Sequence, residues 1–326
     1  MIITQTPLRI SLGGGGTDLP SYYRKSGGGF LVATAINKYV YITVNRNFED
    51  DILLKYSQIE KAPHPADVQH PLLREVLLAT GITRGIEISS MADVPAGTGL
   101  GSSGAFTVGA LRALYAFQHR LVSQIEVAEG ACRIEIERLG EPVGKQDQYI
   151  AAVGGVTSFA FHPDDSVDVV RVPMSPDTRD RLEEDLLLFY TGIRRSASRV
   201  LSTQDRRSLA DDPDLRSNLD AVRQTGRDSF EALAAGDLDQ FGKLMTSQWQ
   251  LKLERTPSEL NRRVDGWIQR AIEAGASGGK LVGAGEGGFL LVYAHAKADV
   301  RQALRECGLE ELRFGFDHEG TRTIIS

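Results

Sequence analysis

The stretch Pro95-Ala96-Gly97-Thr98-Gly99-Leu100-Gly101-Ser102-Ser103-Gly104 constrains this chain more than any other. It lies between a candidate strand, Ile86 to Ser90, and a run that places Phe106, Ala110, Leu111, Leu114 and Phe117 on one side of a helix. The chain must therefore pass from a strand through a glycine-rich turn into a buried amphipathic helix. Glycines let backbone N–H groups approach anionic oxygens with no Cβ in the way. The helix start adds unpaired N–H groups and the positive end of its dipole. A serine hydroxyl at that point suits Mg²⁺, a hard cation that prefers oxygen. No lysine follows the last glycine, so this is not a Walker loop. The spacing and the paired serines also depart from the dinucleotide fingerprint.

The 326 residues suit two domains rather than one core. Strand-like segments dominate the first ninety residues: Ile2 to Leu12, Phe30 to Asn45, Ile52 to Ser57 and Ile86 to Ser90, with a helix over Pro71 to Leu78. Helices follow at Ser102 to His119 and Ser123 to Leu139, then strands at Val156 to Phe161 and Val167 to Val172. Pro173 and Pro176 mark the boundary, giving domains 1–175 and 176–326. The second half reads as a buried strand at Asp185 to Tyr190 and helices over Asp214 to Ala235, Leu238 to Lys252 and Ser258 to Ala274. Shorter strands follow at Lys280 to Val282, Gly288 to Tyr293, Leu312 to Phe316 and Arg322 to Ile325, with a helix over Lys297 to Glu306. Gln204 to Asp214 reads as a solvated connector. The expected class is α+β.

A net charge of -6 argues against a general nucleic-acid or anionic-membrane binder. No apolar run approaches the ~20 residues of a membrane helix, and Cys132 and Cys307 stand in no metal-like spacing. A reduced, cytoplasmic protein is expected.

Two further strings accompany the loop: Pro7-Leu8-Arg9-Ile10-Ser11-Leu12-Gly13-Gly14-Gly15-Gly16-Thr17-Asp18 and Lys280-Leu281-Val282-Gly283-Ala284-Gly285-Glu286-Gly287-Gly288-Phe289. The three, in this order and spanning nearly the whole chain, resemble the signatures of the GHMP kinases. The resemblance implies a two-domain fold, the N-terminal half similar to the second domain of ribosomal protein S5 and the C-terminal half ferredoxin-like. It also implies a kinase that uses ATP and Mg²⁺, with Pro95, Gly97, Gly99, Leu100, Gly101, Ser102, Ser103 and Gly104 around the nucleotide phosphates.

The remaining roles follow from the resemblance. Gly140 to Gln148 is similar to the family's stretch around its catalytic aspartate, so Asp147 would take the acceptor's proton. Arg9 would sit beside it and neutralise charge in the transition state. Ser103 and Glu135 match the metal ligands, with Glu137 a near alternative two residues along the helix. Gly14, Gly15, Gly16, Thr17 and Asp18 fall where acceptor sugars bind, and Gly285 belongs to the loop that supports the acceptor site. Gly15-Gly16 replaces the Glu-His pair of galactokinase-type members, which disfavours galactose.

The stretches Gly13 to Tyr23, Glu141 to Tyr149 and Phe189 to Ser198 resemble one branch, the kinases that phosphorylate the anomeric C1 hydroxyl of D-glycero-α-D-manno-heptose 7-phosphate. A substrate that already bears a phosphate needs an anion site, for which Arg194, Arg195, Ser196 and Lys145 are the candidates. Alternatives are a fucokinase-like enzyme on an unphosphorylated sugar, a diphosphate decarboxylase of the same fold, or a non-catalytic sugar sensor. The expected partners are ATP and a sugar phosphate, with no nucleic acid or membrane; a homodimer is compatible with the sequence.

Overall fold

The computed structural model describes residues 1–193, 197–283, 285 and 287–326, with the backbone alone at 197–199. Two sheets organise the chain. The larger is built from β1 (Ile2–Gly13), β2 (Gly29–Arg46), β3 (Ile52–Lys55), β4 (Ile59–Ala62), β5 (Ile86–Ala92), β6 (Val156–Phe161) and β7 (Val167–Arg171). The smaller holds β8 (Leu186–Tyr190), β9 (Gly278–Leu281), β10 (Phe289–Tyr293) and β11 (Glu310–Glu311) in the antiparallel order β11-β8-β10-β9. The last strand, β12 (Arg322–Ile325), returns to the larger sheet and pairs with β1, so that its order is β12-β1-β2-β5-β3-β4.

β2 shows how sequence and packing combine. Its register against β1 shifts between Pro7 and Leu8, where Asn37 and Lys38 are extra residues on the β2 side. At that bulge the strand exchanges partners: Gly29 to Thr34 pair with β6, and Val40 to Arg46 pair with β5. One long strand thereby holds both arms of the sheet. β1 begins half-buried and alternating, then becomes buried on both faces from Thr6 onward, where helices pack against it.

The helices of the first half are α1 (Pro20–Tyr23), α2 (Pro71–Thr80), α3 (Ser102–Phe117), α4 (Gln124–Cys132) and α5 (Gln146–Val153). The second half adds α6 (Pro176–Asp185), α7 (Ala197–Leu209), α8 (Pro213–Ala235), α9 (Leu238–Arg255), α10 (Glu259–Glu273) and α11 (Lys297–Glu306). α4 starts on a capping box, Ser123 with Glu126, and stops being α-helical at Cys132. The chain continues as a π-helical turn, Arg133–Arg138, where one helix was expected to run to Leu139.

Other expectations change as well. Gln204 to Leu209 is helical within α7, and Gln204 is buried and donates to Gly16 O at 3.0 Å. The polar composition read there as a solvated connector instead belongs to a helix laid over the glycine turn. The expected strand over Leu312 to Phe316 reduces to an isolated bridge between Phe316 and Ile36. The mixed α+β class holds. No helix among the described residues is long and apolar enough to cross a membrane.

Candidate active site

The glycine loop leaves β5 and turns into α3 with Gly97, Gly99 and Gly101 at φ of 78°, 83° and 75°, a region that side chains rarely adopt. Gly101 is the N-cap and supplies no side chain, so the first N–H groups of α3 have no side-chain acceptor. The third glycine string presses on this loop: a Cβ at Gly283 would lie 2.8 Å from Gly99 O, and one at Gly288 only 2.3 Å from Thr98 O. Leu100 is fully buried beneath the loop and its carbonyl accepts from Arg9 N at 3.0 Å. Pro95 O accepts from the Thr98 hydroxyl at 3.0 Å. These two residues shape the loop from below.

Arg9 joins the loop to a carboxylate. Its guanidinium donates from Nε to Asp147 Oδ1 at 2.7 Å and from Nη2 to Oδ2 at 2.9 Å, while Nη1 donates to Gly99 O. Asp147, in the first turn of α5, packs so closely on the loop that a Cβ at Gly104 would sit 2.7 Å from Asp147 Cβ. A Cβ at Gly101 would sit 2.9 Å from Arg9 Cγ. Two glycines of this loop thus provide the space into which Arg9 and Asp147 fit.

In the first turn of α3, Ser103 Oγ donates to Glu135 Oε2 at 2.7 Å, and Gln148 Nε2 donates to Oε1 at 3.1 Å. Glu135 is 2% exposed, and burial pushes its carboxyl up to about 7 despite these donors. Glu137 is exposed; the π turn aims only Glu135 inward. Among the described residues no group of three His, Cys, Asp or Glu could hold a metal by itself. Mg²⁺, however, keeps several waters and binds through one or two carboxylates together with phosphate oxygens. A hydroxyl and a buried carboxylate beside a phosphate cradle suit it.

The four glycines at the end of β1 divide their work. A Cβ at Gly13 would meet Ser229 Cβ at 2.8 Å and one at Gly14 would meet Phe30 O at 2.2 Å, so both allow close packing of α8 and β2. The Thr17 hydroxyl bridges Gly14 O and Phe30 O and is buried. Gly15, Gly16 and Asp18 face the cavity. Asp18 accepts from Gly16 N and Gln146 N at 3.1 Å each, and burial with the nearby Asp147 charge raises its carboxyl. Its carboxylate fills the place a side chain at residue 144 would take: a Cβ on Gly144 would be 1.9 Å from Asp18 Oδ2.

Gly97, Ser102, Ser103, Glu135, Asp147 and Asp18 help to line one cavity of about 790 Å³, whereas Gly14, Thr17, Pro95, Leu100 and Gly104, also expected at the ligands, do not reach it. Lys145 is not brought there. Its ammonium donates to Asp165 O at 2.8 Å and lies over the Tyr23 ring, because the α5 N-terminus turns it away from the cleft. Arg194, Arg195 and Ser196 lie outside the described residues. Gly285 does line the cavity, 3.0 Å in Cβ terms from Lys252 Cε.

Residues that motif reading missed complete the walls. Tyr56, His70 and Phe106 form an aromatic end, with His70 stacked on Phe106 at 5.2 Å and edge-on to Tyr56 at 4.7 Å. Gln248, Lys252 and Arg255 come from α9 and Lys280 from β9. The α9 set recurs at i, i+4 and i+7, a polar stripe that helical spacing could have revealed. Lys280 heads a glycine string and carried no such signal.

A strand–glycine turn–helix cradle facing an Arg-held aspartate defines a phosphotransferase of the two-domain small-molecule kinase class. Residues 68–155 match the GHMP kinases N terminal domain and residues 229–309 the GHMP kinases C terminal domain, together just over half of the chain. The chain belongs to the GHMP kinases, and among them it is an ATP-dependent sugar kinase. It is 29% identical to the D-glycero-alpha-D-manno-heptose 7-phosphate kinase of Campylobacter jejuni over 99% of this chain and 98% of that protein. It is 27% identical to the bifunctional fucokinase/GDP-fucose pyrophosphorylase of Arabidopsis thaliana over 93% of this chain and 31% of that longer protein. In fold it resembles a D-glycero-D-manno-heptose 1-phosphate kinase from Bacteroides thetaiotaomicron, with a TM-score of 0.79 and 23% identity over 100% of this chain and 99% of that one.

Proposed function

We propose that this enzyme transfers the γ-phosphoryl group of ATP to the anomeric C1 hydroxyl of D-glycero-α-D-manno-heptose 7-phosphate, giving the 1,7-bisphosphate. The supporting observation is the placement of Asp147: pinned by Arg9, packed on Gly104 and Gly101, and sharing a cavity with Asp18. The choice of sugar follows the full-length Campylobacter relative.

In this reading Asp147 accepts the C1 hydroxyl proton as the oxygen attacks the γ-phosphorus, and the bond from that phosphorus to the β–γ bridging oxygen breaks to release ADP. Arg9 orients the carboxylate and places positive charge against the oxygens that gain charge. The N–H groups at Gly97 to Gly104 and the start of α3 hold the phosphates. Ser103 and Glu135 would hold Mg²⁺, which neutralises the phosphate oxygens when bound. The Tyr56, His70 and Phe106 end takes the base. Asp18 accepts from a sugar hydroxyl. Cytoplasmic residence agrees with two free thiols, Cys132 and Cys307.

The test is ADP release with Mg²⁺ and heptose 7-phosphate, mannose, fucose and galactose as separate acceptors. Heptose 7-phosphate is expected to give the highest kcat/KM, and the product to carry its new phosphate at C1. A higher kcat/KM with fucose would move the enzyme to the fucokinase-like group, whose relative also spans nearly the whole chain.

A further inference from the structure

Two half-buried basic residues of α9 have no counter-charge among the described residues, although cations withdrawn from water normally have one. Lys252 donates to Gly283 O, and Arg255 donates from Nη1 to Asn218 Oδ1 at 2.9 Å; neither forms an ion pair with a described residue. Behind them Lys280, 5% exposed, donates to Leu12 O at 3.0 Å and to Gln248 Oε1. Gln248 is itself 8% exposed, faces the cavity, and its Nε2 donor has no partner among the described residues. Nearby stands Arg9, whose charge is already committed to Asp147. These cations repel one another: burial and the neighbouring Arg255, Lys280 and Arg9 hold Lys252 well below its ordinary value, and burial with Arg9 brings Lys280 down to about 7.

Position separates this group from the nucleotide base. Arg255 borders Gly16, where an added Cβ would stand 3.8 Å from its Nη2, and Gly16 N donates to Asp18. Tyr56 of the aromatic end follows directly on β3, and β2 and β5 separate β3 from β1 in the sheet. The cations therefore belong to the acceptor end. A neutral sugar would leave their charge uncompensated; a phosphate monoester brings two negative charges and oxygen acceptors in one group.

We propose that Lys252 and Arg255, backed by Lys280 and Gln248, form an anion subsite that receives the phosphate the sugar already carries. The assignment rests on the phosphorylated-sugar reading above and gives its specificity to α9 and β9. The same phosphate chemistry could arrive on ATP, so both substrates enter the test.

Arg255→Gln and Lys252→Met are compared with the wild type for kcat/KM on heptose 7-phosphate, kcat/KM on the same heptose without phosphate, KM for ATP, and melting temperature. In each variant the preference for the phosphorylated over the free sugar is expected to fall by about 10- to 100-fold, mainly through KM. The melting temperature of the free protein holds or rises, because a like-charge contact is relieved. A rise in KM for ATP as large as that for the sugar phosphate assigns the cations to the nucleotide and overturns the subsite. An unchanged preference, with or without a lower melting temperature, makes them structural and overturns it as well. A wild type that shows no preference between the two sugars sinks the phosphorylated-sugar reading itself, whatever the variants do.

Discussion

The two walls of the cleft are built on opposite terms. The wall of the first sheet, with Arg9, Asp18, Asp147 and Glu135, is held by dense hydrogen bonding in which nearly every charged oxygen has a donor. The wall of α9 and β9 offers Lys252, Arg255 and Lys280 with carbonyl or amide partners only, among the described residues. The first wall is set before any ligand arrives, as a group that must orient a reacting oxygen requires. The second is under electrostatic tension that a ligand relieves. Rigid chemistry on one side and unmet charge on the other is how one cavity can position a reaction and also choose its substrate.

If the first wall does the chemistry, its largest effect lies at Asp147. Asp147→Asn keeps the shape and an acceptor oxygen but removes the base, and kcat is expected to fall by about 10²- to 10⁴-fold. KM for ATP should move far less, since Asp147 faces the acceptor. Steady-state ADP release reads both, and a loss below threefold would transfer the base role elsewhere and undo the contrast between the walls.

Next in size is Gly104→Ala. The new methyl would meet Asp147 Cβ at 2.7 Å and its backbone carbon at 3.0 Å, so the loop and carboxylate must separate. Misplacement of this order costs about 10²-fold in rate, expected in kcat with the protein still folded by circular dichroism. Retention of full activity would mean that the cradle and the carboxylate do not need their close fit.

Legibility in the sequence follows the same division. The glycine strings were readable because close approach of neighbouring backbone and the φ values of residues 97, 99 and 101 both favour glycine. Asp147 was reached through the resemblance of Gly140 to Gln148 to the family's aspartate stretch, and Arg9 through its place in the first string. Glu135 against Glu137 was left open, since helical periodicity puts them on different faces without saying which is inward; the π turn at Arg133–Arg138 decides it and has no sequence mark. The α9 cations were missed because they function through residues far away in the chain: Lys252 meets Gly283 and Gly285, and Arg255 meets Gly16. The same holds for Lys145, whose place at the head of α5 suggested a phosphate but whose partner, Asp165, is supplied by the turn between β6 and β7.

The paired substitutions Glu135→Gln and Glu137→Gln sharpen the comparison at a smaller scale. Loss of the buried carboxylate is expected to raise the Mg²⁺ concentration for half-maximal activity by about 10- to 100-fold, while the exposed Glu137→Gln stays within twofold. Equal effects at the two positions would mean that the π turn does not orient the metal site.

The remaining effect is one of pH, and it belongs to the second wall. Lys280 falls from its ordinary 10.5 to about 7 because burial and Arg9 disfavour its charge, with Lys252 close by and Gln248 as its neutral partner. Its contribution to the stability of the free enzyme is present above 10.5 and is lost as pH falls through about 7. A bound phosphate reverses the preference, since it favours the protonated lysine. Substrate binding therefore takes up a proton, and KM for heptose 7-phosphate should climb between pH 7 and pH 9 by at most about tenfold per unit. KM for the unphosphorylated sugar should stay flat across that range. Lys280→Met should remove the slope while leaving kcat at each pH unchanged. A slope that survives in Lys280→Met but disappears in Lys252→Met would move the titration to Lys252 within the same wall, and one that survives both would place it outside the α9 and β9 wall.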